Sequence, residues 1–155
     1  MMTSNVKNLF SALVQQGTIS ESSLIGCTDE ELVSIELHFG GKLPSAYREF
    51  LGIAGRAAGK LFQGTDIFYP RILELQCEAK ELLTELNLPD LLPVDAKIFC
   101  MHQGYELNYF LPVSDDPPVY QFFEGQDSVT LPWQSFSEFL RTSIENHLAQ
   151  WANLN

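Results

Sequence analysis

The stretch Ile98-Phe99-Cys100-Met101-His102-Gln103-Gly104-Tyr105-Glu106-Leu107-Asn108-Tyr109-Phe110 decides the reading of this chain. Both halves are rich in β-forming residues, and Gln103-Gly104 is a two-residue turn with a glycine free to take positive φ. The spacing predicts a hairpin, Ile98 to His102 paired with Tyr105 to Phe110. Working toward the C-terminus, Ser114 to Pro118 reads as a loop, Val119 to Phe123 as a third strand, Glu124 to Asp127 as a turn, and Ser128 to Leu131 as a fourth strand. Consecutive short strands joined by turns make a meander. Ser135-Phe136-Ser137-Glu138 then has capping-box spacing, opening a helix whose Phe136, Phe139, Leu140, Ile144, His147, Leu148 and Trp151 share one face.

Upstream of the hairpin the apolar period is helical. Val6, Leu9, Phe10, Leu13 and Val14 predict a helix from about Asn5 to Gln16, stopped by Gly17. Thr28-Asp29-Glu30-Glu31 is a second capping box, and Leu32, Ile35 and Phe39 continue it to Gly40-Gly41. Pro44 suits the first position of a third helix carrying Tyr47, Phe50 and Leu51 and ending near Gly52. The segment Gly52 to Gly64 reads as turns, and Thr65 to Pro70 as a strand with turns. Ile72 to Leu86 sets Ile72, Leu75, Ala79, Leu82, Leu83 and Leu86 against the acidic row Glu74, Glu78, Glu81 and Glu85, a further helix with a solvated face. Helices, then an antiparallel meander, then one closing helix define an α+β domain. With 155 residues and no repeat, linker or low-complexity tract, a single domain over residues 1–155 is expected.

The 45% hydrophobic content and 18 aromatic residues supply a core. Twenty Asp+Glu against nine Lys+Arg leave a net charge of −11, which repels phosphate backbones and argues against direct nucleic-acid binding. Cys27, Cys77 and Cys100 are odd in number and far apart, unlike a disulfide scaffold, so a reducing cytoplasm is expected. The opening Met1 to Lys7 lacks the pattern of a secretory leader, and no apolar run approaches membrane-spanning length.

Chemical motifs are sparse. Ala54-Gly55-Arg56-Ala57-Ala58-Gly59-Lys60-Leu61 matches a phosphate loop as far as Gly-Lys, but Leu61 stands where Ser or Thr would ligate Mg²⁺, and a helix rather than a strand precedes it. Cys100 and His102 fall on one face of a strand, yet neither metal-ligand spacing nor a nucleophile elbow occurs, and the buried-thiol reading prevails. His38 and His147 read as boundary histidines beside apolar stripes. No catalytic residue, metal ligand or cofactor is therefore expected, and the chain reads as a non-enzyme.

One asymmetry stands out. From Ile98 to Leu140 there are six acids (Glu106, Asp115, Asp116, Glu124, Asp127 and Glu138) and no Lys or Arg, whereas Lys42 to Lys60 carries four bases and one acid. Such polarity suits docking to a basic protein, although acidic loops also serve solubility alone.

The order of motifs resembles the SUKH superfamily. The resemblance runs from Thr28 to about Ile144 and rests on Leu43-Pro44-Ser45-Ala46-Tyr47-Arg48-Glu49-Phe50-Leu51 after a Glu-bearing helix and Gly40-Gly41, then Gly104, Pro118-Val119, the Gly125 turn and Ser135-Phe136-Ser137-Glu138-Phe139-Leu140. The Asn-Gly that often follows the Leu-Pro helix is absent; Ile53-Ala54-Gly55-Arg56 keeps only the glycine. The resemblance implies a mainly antiparallel sheet flanked by N-terminal helices and one C-terminal helix. It also implies a non-enzymatic role, as an immunity protein that neutralises a toxin, often a nuclease, or as a regulator acting through protein partners. A basic toxin domain is the partner this favours, with the domain a monomer; a regulatory or scaffold protein and a small enzyme stay open. The partner-binding candidates are Asp115, Asp116, Glu124 and Asp127, with Tyr105, Tyr120 and Trp133 as aromatic anchors.

Overall fold

The computed structural model describes residues 5–154, with side chains through residue 150. Five helices and seven strands follow one another as α1 (Asn5–Gln15), β1 (Leu24–Ile25), α2 (Asp29–Phe39), α3 (Ser45–Ala54), β2 (Ala57–Ala58), β3 (Thr65–Asp66), α4 (Ile72–Glu85), β4 (Lys97–His102), β5 (Glu106–Phe110), β6 (Val119–Phe123), β7 (Thr130–Trp133) and α5 (Phe136–Leu154), with a single 3₁₀ turn at Glu21–Ser23. Strands β3 to β7 form an antiparallel sheet in sequence order, the expected meander, and β1 pairs with β2 apart from it.

The helix signals hold at atomic detail. Thr28 Oγ1 accepts from the Glu31 amide at 3.2 Å while Glu31 Oε1 accepts from the Thr28 amide at 2.9 Å, and Gly40 closes α2 with φ +81°. At α5 the second box is half of one. The Glu138 amide donates to Ser135 Oγ, but the Glu138 carboxylate accepts from the Gln134 amide instead of from Ser135. Pro44 is the N-cap of α3, one place before the expected position, with ψ 140°. That helix also runs past Gly52 to Ala54, because Leu51 and Ala54 are fully buried and packing outweighs the low helix propensity of glycine.

The hairpin has the expected turn, with Gln103 and Gly104 both left-handed at φ 56° and 77°. Strand β5 starts at Glu106, one residue late, since the Tyr105 amide closes the turn onto the His102 carbonyl. The fourth strand lies two residues beyond Ser128–Leu131: Val119 pairs with Trp133 and Gln121 with Thr130, which puts the Trp133 ring 5.0 Å from that of Phe139. Strand β3 keeps only two of the six residues of Thr65 to Pro70, because the Tyr69 amide bonds to the Gly55 carbonyl and takes the chain out of the ladder. The pairing of Leu24–Ile25 with Ala57–Ala58 was not expected; a turn-like composition had hidden it.

Tyr47 on α3 centres the core, its ring lying 5.2 to 5.9 Å from those of Phe99, Phe110 and Phe136. These contacts put α3 and α5 on one sheet face. By alternation Ile98, Leu107 and Tyr109 point to the other face, where α4 covers β4 and Gln76 bonds both the Ala96 carbonyl and the Ile98 amide. His38 is exposed and His147 half-buried; Trp151 lies outside the residues whose side chains are described.

Candidate binding surfaces

The acidic residues do not form one patch. Asp115 and Asp116 lie in the loop between β5 and β6, at one end of the sheet, and both hold helix N-termini. Asp115 accepts the Ser45 hydroxyl at 3.1 Å through Oδ1 and the Ala46 amide at 2.9 Å through its carbonyl, and Asp116 Oδ1 accepts the Ser137 amide at 2.9 Å. These bonds satisfy amides that the first turns of α3 and α5 leave open, and the carboxylates oppose the helix dipoles favourably. Glu124 and Asp127 lie in the turn between β6 and β7, at the far end of a five-residue strand roughly 17 Å long. Both are exposed, and the Glu124 amide donates to the Tyr105 carbonyl at 2.8 Å, so Glu124 and Tyr105 are neighbours.

The aromatic candidates divide likewise. Tyr105 is 41% exposed at the tip, its ring beside His102 and Phe123. Tyr120 stacks on buried Tyr109 at 5.1 Å, on the sheet face away from α5. Trp133, half-buried, stands on the face toward α5. Of the seven candidates, Tyr105 and Glu124 are neighbours at one tip, with Asp127 in the same turn as Glu124; Asp115 and Asp116 lie at the other end of the sheet, bonded to the first residues of α3 and α5.

A second feature escaped the sequence reading. Between the sheet, α5 and the turn after β2 lies a cleft of about 740 Å³, within the ~300–1,000 Å³ usual for ligand sites. Its floor holds Asn108, fully buried, whose Oδ1 accepts from Gln121 Nε2 and whose Nδ2 donates to Glu106 Oε2, both at 3.0 Å. His102 Nδ1 lies 2.9 Å from Thr65 Oγ1. On α5 the wall is Phe139, Thr142, Ser143, Asn146, His147 and Gln150, and on the turn Lys60 to Gln63. Two signals were available: Thr142, Asn146 and Gln150 at i, i+4 and i+8, and Asn108 on the same strand face as Glu106.

The segment that partly matches a phosphate loop has a structural partner. Arg56 of the glycine-rich segment binds Glu31, and its guanidinium sits 5.2 Å over the Tyr69 ring. Helix α3 precedes that segment and the short β2 lies within it. Burial pushes the Cys100 thiol well above the ordinary range, and burial followed by the Glu31 charge pushes Cys27 up to about 11, so neither is a thiolate at neutral pH. Among the described residues no group of three His, Cys, Asp or Glu is arranged to hold a metal, and no helix is long and apolar enough to cross a membrane.

These features define an α+β domain built on an antiparallel meander, with a helix-lined cleft on one face and an acidic tip. The chain belongs to the SMI1 / KNR4 family (SUKH-1), whose model matches residues 26–142, close to the span of the resemblance. Membership is consistent with a protein-binding role. No curated protein matches the chain.

Proposed function

We propose that this domain is a non-enzymatic, cytoplasmic immunity protein that works as a monomer, neutralising a basic toxin by covering its cationic substrate cleft. The observation that carries this reading is the acidic tip: Glu124 is exposed beside Tyr105, with Asp127 exposed in the same turn, in a stretch, residues 98–140, that contains no Lys or Arg. Family membership supports a protein partner. Carboxylates around an exposed aromatic steer a cationic surface by long-range attraction, and the ring supplies the desolvated contact.

The test is to express the chain with the toxin encoded beside it and to measure survival, complex stoichiometry and association rates at two salt concentrations. Protection, a 1:1 complex and association that slows as salt rises are expected. A toxin that stays active in the presence of excess protein removes the reading. Titration of ATP into the wild type and Lys60→Ala should give no heat in either; wild-type binding lost in the variant would restore an enzymatic reading.

A further inference from the structure

The cleft offers a chemistry that the acidic tip does not. A helix face turned toward its own sheet is ordinarily apolar, and the first turn of α5 obeys this with buried Phe136, Phe139 and Leu140. Farther along, the face toward the sheet carries Thr142, Asn146 and Gln150. Opposite them Gln121 lines the floor, its Nε2 bonded to buried Asn108, which Glu106 holds in turn, so carboxamides stand on both sides of the cleft. Carboxamides both donate and accept. They complement a peptide main chain, which offers N–H and C=O in alternation.

Length and charge narrow the ligand. From Phe139 to Gln150 the wall runs about 16 Å at about 1.5 Å per helical residue, room for about five residues of extended chain at about 3.3 Å each. Lys60 and Glu106 oppose one another in sign, and burial lowers the His147 pKa, disfavouring its charged form, so the lining has no dominant charge and favours an uncharged segment. The sheet edges do not compete for it: β3 has two residues, and Pro132 interrupts β7. The third wall is a strained turn. Phe62 is left-handed at φ 63°, costly for so bulky a residue, and its ring is clamped among Phe50, Phe68 and Phe139, which fixes the turn where it borders the cleft.

We propose that the cleft between the sheet and α5 binds an uncharged, extended segment of a polypeptide, about five residues long, through side-chain carboxamide to main-chain hydrogen bonds. This deepens the protein-binding reading and rests on it, but it requires neither Glu124 nor Asp127.

The probes are peptides selected on the full chain from a random phage-displayed library, synthesised with blocked termini and titrated into ¹⁵N-labelled protein. Selection of uncharged sequences is expected, with shifts of the Asn108, Gln121, Asn146 and Gln150 side-chain amides and equal affinity at low and high salt. Asn146→Leu with Gln150→Leu, both at exposed positions, should weaken binding about threefold to tenfold without unfolding the protein. Glu124→Gln with Asp127→Asn should leave it unchanged. No selected peptide, shifts elsewhere on the surface, a basic consensus lost at high salt, or the same amide shifts produced by an oligosaccharide panel and by no peptide would each overturn the proposal. The two readings fail separately: loss of the acidic-tip function leaves the amide shifts in place, and loss of the shifts leaves toxin association untouched.

Discussion

The guanidinium of Arg56 holds the carboxylate of Glu31 through two nitrogens, Nε at 3.0 and 2.9 Å from its two oxygens and Nη2 on Oε2. Bidentate geometry of this kind fixes orientation as well as charge. It ties the glycine-rich segment after α3 to the N-terminal turn of α2, so a residue that resembles part of a phosphate loop serves to join two elements. The hydrogen bond from Arg56, helped by the Thr28 amide, lowers the Glu31 pKa from 4.5 to about 2. A carboxyl more acidic in the folded state stabilises the fold above its unfolded pKa and loses that contribution as pH falls toward its folded value. Arg56→Gln should therefore lower stability at pH 7 and flatten its decline between pH 4.5 and about 2, read as urea midpoints across that range. Parallel curves for the two proteins would contradict the pairing.

The second prediction concerns close backbone approach. A Cβ on Gly26 would lie 1.9 Å from the Gly52 carbonyl oxygen, which no rotamer change can relieve, whereas one on Gly41 would meet nothing within 4 Å. Gly26→Ala should displace β1 from α3 and lower the thermal midpoint by several degrees. Gly41→Ala should leave it nearly unchanged, and equal effects would refute the contact.

Core truncation gives the third. Leu107 and Phe139 are buried on opposite faces of the sheet, so Leu107→Ala should cost about 2–5 kcal/mol and Phe139→Ala about 3–5 kcal/mol in denaturant unfolding. Tyr47→Phe should behave oppositely. The Tyr47 hydroxyl is buried without a hydrogen-bond partner among the described residues, so removing it should leave stability unchanged or raised. A large loss would show that the hydroxyl has a partner.

The acidic residues give the fourth, because position divides them by effect. Asp116→Ala removes the acceptor of the Ser137 amide at the start of α5 and should lower stability by about 0.5–2 kcal/mol, whereas Asp115→Ala keeps the main-chain carbonyl that binds the Ala46 amide, loses only the bond from the Ser45 hydroxyl and should cost less. Glu124→Gln with Asp127→Asn should leave stability within about 0.5 kcal/mol and instead slow association with a basic partner at low salt. If association is unaffected by that pair, the tip is solvated surface.

Most of the fold was legible because it is written in near neighbours. Thr28 with Glu31, the apolar period of Ile72 to Leu83 and the Gln103-Gly104 turn each specify an element through residues a few positions apart, and each element stands as expected. What the local pattern missed depends on distant partners. Trp133 rather than Leu131 ends β7 because Phe139 receives its ring, and Ala57–Ala58 is a strand because Leu24–Ile25 lies beside it. The binding surfaces belong to the same category. Charge alone assigns one acidic role to Asp115, Asp116, Glu124 and Asp127, but the tertiary structure divides them between two ends of the sheet and bonds the first two to residues 45 and 137 at helix starts. The cleft, likewise, exists only where the turn at residues 60–63, the strands around Asn108 and the polar stripe of α5 converge. Composition and periodicity set the elements, since backbone hydrogen bonding and side-chain period are local; which polar groups face solvent, one another or a ligand is decided when tertiary packing has used up the rest.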